Sequence, residues 1–144
     1  MTWALYADPG LTNDLSTGVP ITQVLGGTYT DVVLYYGNPA TNRVLQAASA
    51  PGTDPITITP ADASVSSGVE TSMLKLALTS AGLDSATAGA ALSVGTQLSS
   101  GVINAVEVWL RVDAGALTAG SYTDASLDVV ATVESDGLPP PPPS

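Results

Sequence analysis

The sequence predicts an all-β domain of about seven to nine strands, a sandwich or a barrel, and three observations predict it. Apolar and polar residues alternate at period two over most of the chain, the pattern of half-buried strands. Clusters of Gly, Pro, Asn and Asp break that pattern at short intervals, which is the punctuation of an all-β fold. Finally, 144 residues with 44% hydrophobic content suffice for one domain with a core of its own.

The clearest strand is 106–113. Val106, Val108, Leu110 and Val112 share one face; Glu107, Trp109, Arg111 and Asp113 share the other. The last strand, 126–134, reads the same way, with Leu127, Val129, Ala131 and Val133 inward and Val130 the one apolar residue outward. Its shared alternation with 106–113 across a turn at 115–120 predicts a closing hairpin, in which Val108 and Leu110 pack on Leu127 and Val129. Earlier strands are expected at 2–7, 21–25, 29–36, 43–48, 55–59 and 71–79; in the last of these Leu74, Leu76 and Leu78 share a face and Lys75 points outward. Turns are expected at Gly26-Gly27, at 36–42 around Asn38-Pro39, and at Pro51-Gly52-Thr53-Asp54-Pro55.

The stretch 80–101 holds no clean period. A short helix from Asp84 to Leu92 would have an N-cap in Asp84 but is weakened by Gly89. The better reading is a long connection, with Leu92-Ser93-Val94 as a short strand and Leu98 packed inward. The domain is assigned to 1–134, with 1–10 as an N-terminal arm. The remainder, 135–144, contains five consecutive prolines that cannot donate to a ladder, and it reads as an extended, solvated tail.

Chemistry-bearing residues are scarce. The chain has no His, no Cys and a single Lys, Lys75, so the usual proton carrier, thiol nucleophile and soft metal ligands are missing. Without His no familiar serine triad can be assembled, and Lys75 is the only lysine for a Ser–Lys dyad. Asp124 and Asp128 would share an outer strand face, where two acids usually mean solvation rather than catalysis. No Asp-x-Asp-x-Asp-Gly loop is present; Thr12-Asn13-Asp14 and Thr53-Asp54 offer at most oxygen ligands for an adventitious Ca²⁺. Gly26-Gly27-Thr28 is followed by no Lys and no helix, so it is not a phosphate loop. No catalysis, no cofactor and no resident metal are expected.

Thirteen acids against three bases give a net charge of −10, although charged residues make up only 11% of the chain. Such a field repels phosphate backbones and anionic lipid, so neither nucleic acid nor membrane is an expected partner. No apolar run approaches a membrane span, and the N-terminal stretch lacks the basic and apolar regions of a secretory signal. Synthesis in the cytoplasm without export is the expectation. Contact with another protein falls to outward aromatic and apolar groups: Trp109 between Glu107 and Arg111, and Trp3, Leu5 and Tyr6 in the arm ahead of Asp8-Pro9-Gly10.

Two stretches carry a resemblance. Gly-Val-Ile-Asn-Ala-Val-Glu-Val-Trp-Leu-Arg-Val-Asp over 101–113, followed by Leu-Thr-Ala-Gly-Ser-Tyr-Thr-Asp-Ala-Ser-Leu-Asp-Val-Val-Ala over 117–131, resembles the closing hairpin of immunoglobulin-like sandwiches. Val32-Val33-Leu34-Tyr35-Tyr36-Gly37-Asn38 resembles their early strand running into an Asn turn. The outward Trp109 and the lack of a Cys pair depart from the antibody type. The cysteine-free, acidic style, rich in Ala, Thr, Gly and Val, is similar to tailed-bacteriophage virion proteins, above all capsid decoration proteins. That resemblance implies a non-catalytic structural protein on the virion, assembled in the host cytoplasm. Its partners would be the major capsid protein, other virion subunits or further copies of itself. The other reading is a carbohydrate-binding or tail-associated receptor module that uses exposed Trp and Tyr.

Overall fold

A computed structural model of the chain describes residues 3–15, 29–62, 69–113 and 125–136. The all-β class holds. The described residues form β1 (Ala4–Tyr6), β2 (Thr30–Gly37), β3 (Arg43–Ala47), β4 (Ile56–Asp62), β5 (Leu74–Ala77), β6 (Leu92–Gly95), β7 (Gln97–Ser99), β8 (Val106–Val112), β9 (Ala125–Val129) and β10 (Thr132–Asp136), with single 3-10 turns at Thr71–Met73, Ala81–Asp84 and Val102–Asn104. The expected strand at 21–25, the turns at Gly26-Gly27 and 115–120, and Asp124 lie outside the described residues.

Four strands form one antiparallel sheet in the order β1-β2-β8-β5. The other two sheets have three strands each, β10-β3-β7 and β6-β4-β9. Connectivity shows how these two relate. β6 runs into β7 and β9 into β10, each leaving one sheet for the other, while β3 and β4 are the central strands and run antiparallel to those neighbours. They therefore form one three-lane layer, broken across its middle at 48–55, at 95–96 and at 130–131. Hydrogen bonds from Ala48 N to the Ala131 carbonyl and from Val130 N to the Thr57 carbonyl extend the β3–β10 and β4–β9 ladders up to the break.

The break corrects two expectations. The last strand is two strands, because alternation slips at 130–131. Leu127 and Val129 are half-buried, but Val133 is 43% exposed. The closing hairpin does not form either: β8 lies between β2 and β5, whereas β9 pairs with β4. Val108 and Leu110 thus have Leu34, Val32 and Leu76 as ladder neighbours rather than Leu127 and Val129. Ser135 and Asp136 still pair with Val44 and Arg43, so the strand outruns the expected domain edge at 134; the rest of the proline-rich tail lies outside the described residues. The short strand at Leu92–Gly95 and the inward Leu98 are as the sequence suggests.

One apolar cluster draws on all three sheets: Leu34, Tyr36, Leu74, Leu76, Val108, Leu110 and Val112 from the first, Leu45, Ala47 and Leu98 from the second, and Ile56, Ile58 and Val94 from the third. These are the alternate positions that period two predicts, and each large side chain buried here contributes about 1.5–3 kcal/mol of transfer free energy. Burial pushes the Tyr36 hydroxyl up to about 12, since the core disfavours a phenolate.

Candidate interaction surface

On the outer face of the four-stranded sheet, register places three cross-strand rows: Tyr6, Tyr35 and Glu107; Val33, Trp109 and Ala77; Asp31, Arg111 and Lys75. Alternation assigned this face to solvent. The structure covers both of its ends. Chain from Ala7 to Leu15 folds back along β1, with bonds from Ala7 N to the Asn13 carbonyl and from Leu15 N to the Leu5 carbonyl, and it seats Leu11 beside Gly37. A side-chain carbon at Gly37 would come within 3.0 Å of Leu11 Cδ1, so the glycine leaves room for that cover. Across the sheet, the turn at Ala81–Asp84 lies over Ala77 and buries Leu83 completely.

Arg111 is the hinge of this second cover. Its Nε and Nη2 donate to the two carboxylate oxygens of Asp31 at 2.8 and 3.0 Å, and its Nη1 donates to Asp84 Oδ1 at 3.0 Å. Its guanidinium also stacks over the Tyr29 ring, 3.9 Å from the centroid. Its hydrogen bonds to Asp31 and Asp84 outweigh desolvation and hold the guanidinium firmly charged. Asp84 therefore caps no helix; it ends a 3-10 turn and ties it to β8.

These contacts revise the candidate residues. Tyr6, 4% exposed, is buried on the outer face by the returning chain. Leu5 is half-buried against the main core, and Trp3 packs on Tyr36 with ring centroids 6.2 Å apart while its indole N–H donates to Glu134 Oε2 at 2.7 Å. Of the two roles open to this segment, first strand or partner-binding arm, Ala4–Tyr6 takes the first, as a strand of the four-stranded sheet whose aromatics find partners inside the domain. Arg111 is 9% exposed and already committed to two aspartates. Trp109 is half-buried in its row between Val33 and Ala77. Of the six, Glu107 alone is exposed.

A shallow cavity of about 200 Å³ lies beside Arg111, lined also by Tyr29, Ser72, Met73, Lys75 and Asp113. Lys75 and Arg111 face Asp113 there, and Asp31 and Asp84 already neutralise the guanidinium, so the local balance does not favour an anion. Among the described residues no group of three or more acids is placed to hold a metal ion, and no helix is long and apolar enough to cross a membrane. Asp8, in the returning segment, accepts from Asn13 N at 2.8 Å and from Thr12 N and Oγ1. These bonds hold its carboxylate below the usual range, and they build the turn.

Among the described residues, apolar groups outside the candidate set remain outward at Tyr29, 48% exposed, at Leu78, 46% exposed although period two placed it with buried Leu74 and Leu76, and in two further places. One is the edge lane β9–β10, with Val130 and Val133 exposed; among the described residues neither strand is paired on its far side. The other is the turn at Val102–Asn104, where Val102 is 49% exposed and Ile103 91%. This turn is firmly held. Ser100 N donates to the Arg43 carbonyl, Arg43 N to Ser100 Oγ, Gly101 N to the Asn38 carbonyl at 2.7 Å, and Asn104 Nδ2 to the Ser100 carbonyl. Gly101 sits at φ 102°, ψ 146°, a conformation nearly restricted to glycine. Residues 99–105 alternate too poorly to show as a strand, and that irregularity was the only sequence signal for a presented tip. In comparisons with known proteins, no family model matched the chain, and no curated protein or solved structure matched it either.

Proposed function

We propose that the chain is a non-catalytic structural protein of a tailed-phage virion, a decoration protein that binds the outside of the capsid and stabilises the shell. The observation that carries this reading is the division of labour on the surface. The described basic side chains with ion pairs, Arg43 and Arg111, spend them inside the domain, while Val130, Val133, Val102 and Ile103 are left exposed. A surface with apolar groups left outward suits adhesion better than turnover.

The shell contact belongs to the β9–β10 edge. An open strand edge offers backbone donors and acceptors to an added strand, and flanking apolar side chains supply burial. Asp128 and Glu134 on that lane favour a neutral or basic coat strand over an acidic one. Each contact need be only modest, because many copies act on one particle. The alternative is a carbohydrate-binding or receptor module; Trp3, Tyr6 and Tyr36 have contacts or burial within the domain, which leaves Tyr29, Tyr35 and Trp109 as the described aromatics such a module would use.

The test is binding of the chain to purified shells lacking it. High-copy, saturable binding is expected, and changing both Val130 and Val133 to Lys should lower occupancy about tenfold while leaving the fold intact. Absence of shell binding together with specific retention on a glycan array would replace this reading with the receptor one.

A further inference from the structure

Where the returning chain 7–15 meets the end of β2, two residues adopt an unfavourable local state. Leu11 holds φ 55°, in the left-handed region that favours glycine. Gly37 is the converse case. Its φ is not positive, so the backbone makes no demand for glycine, and any side chain would serve the strand better. What requires the glycine is Leu11, whose Cδ1 would lie 3.0 Å from an added side-chain carbon. Two local rules are broken at two residues that touch each other, which marks a specific contact between them.

The hydrogen bonds of 7–15 fall into two sets. Within the segment, the Asp8 carboxylate accepts from Thr12 N, Thr12 Oγ1 and Asn13 N, the Asp8 carbonyl accepts from Leu11 N, and Ala7 N donates to the Asn13 carbonyl. These bonds close a compact loop whose two ends adjoin. Its hold on the sheet is a separate matter. That hold centres on the buried Leu11 side chain, with the bond from Leu15 N to the Leu5 carbonyl and the antiparallel bridge between Tyr6 and Asp14 beside it. Pro9, Thr12, Asn13 and Asp14 are exposed. A loop that carries its shape within itself, and is seated mainly by one side chain, detaches at lower cost than it unravels. We propose that residues 7–15 are a lid. The loop lifts as a unit when Leu11 leaves its seat at Gly37, and the sheets stay folded. Lifting uncovers Tyr6 and frees the Leu5 carbonyl at the outer edge of β1. Closed, the lid blunts an edge strand that would otherwise present open backbone groups. Pairing at that edge is therefore gated by the Leu11 seat. The inference is independent of the shell-binding reading, whose contact lies on β9–β10.

Native-state hydrogen exchange of the full chain, followed by NMR, tests the lid. The Leu15 amide should exchange through an opening that denaturant barely affects, while amides of β2 and β8 exchange only on global unfolding. The Thr12 and Asn13 amides should outlast that of Leu15, because their bonds to Asp8 travel with the loop. Leu11→Ala should speed Leu15 exchange about tenfold or more and leave β2 and β8 protected. The same variant should raise nitration of Tyr6 by tetranitromethane, with Tyr36, buried in the core, as the unreactive control. Gly37→Ala should act in the same direction from the other side of the contact, though less, since the end of the leucine side chain can shift. Leu15 protected to the level of β2 and β8 in the parent overturns the proposal. Exchange of Thr12, Asn13 and Leu15 at one common rate does so too, since it describes a loop that unravels. So does a Leu11→Ala variant in which Tyr6 is no more reactive than in the parent, or in which β2 and β8 lose protection together with Leu15.

Discussion

The two faces of the four-stranded sheet obey the same alternation and reach opposite compositions. Inward, Leu34, Tyr36, Leu74, Leu76, Val108, Leu110 and Val112 meet the other layer and are buried by it. Outward, Tyr6, Ala77 and Arg111 are equally buried, under short covers supplied by the chain from 7 to 15 and by the turn at Ala81–Asp84. Period two separates the faces of a strand. It does not say which face meets water, since a cover can come from a segment with no period of its own.

The comparison breaks first at its inner face. Leu110→Ala opens a cavity in a fully packed layer and should cost about 2–5 kcal/mol by chemical denaturation. A smaller loss would mean that the neighbours on β2 and β5 collapse into the space. Leu83→Ala tests the outer cover. Leu83 is wholly buried but anchored on a short turn that can shift, so a loss near the lower end, about 2 kcal/mol, is expected. A negligible change would show that the outer face is solvent-like after all.

Arg111→Gln comes next. It leaves Asp31 and Asp84 without their cation and uncovers Tyr29, so the melting temperature should fall, though by less than for Leu83→Ala. Arg43→Ala should fall less again, because its partner Glu134 is 3.7 Å away and both side chains are well exposed. Equal losses at the two arginines would mean that covering by Tyr29 and the turn adds nothing. The smallest effect belongs to Asp8. Its folded carboxylate lies below the ordinary value of 3.8, so its contribution is whole above that value and fades as pH falls through the lower folded one. Asp8→Ala should therefore flatten the acid limb of a stability profile slightly and leave the neutral region nearly unchanged apart from the lost turn bonds.

The fold was legible where residues repeat a local rule. Alternation at 106–112 gave the buried set Val108, Leu110 and Val112 correctly, and Gly37 with Asn38-Pro39 marked the end of β2. The contact residues were harder to read, since exposure was judged from strand parity alone. Trp3 and Tyr6 looked unspent because their partners, Glu134 in the last strand and the returning chain around Leu11, are not signalled by anything near them in sequence. Val133 was placed inward because one break at 130–131 reverses parity, and no residue type announces such a slip.

By itself, then, the sequence determined the quantities that are local or summed. These are the period, the turn chemistry, the lack of His and Cys, and a charge of −10 that belongs to the chain whatever its shape. Only the tertiary structure decided which strands are neighbours, since β8 joins β5 rather than β9 through contacts that parity cannot distinguish. It also decided that Arg111 is enclosed and Ile103 exposed. Burial depends on what arrives from elsewhere in the chain, and that is set by the packing of whole sheets.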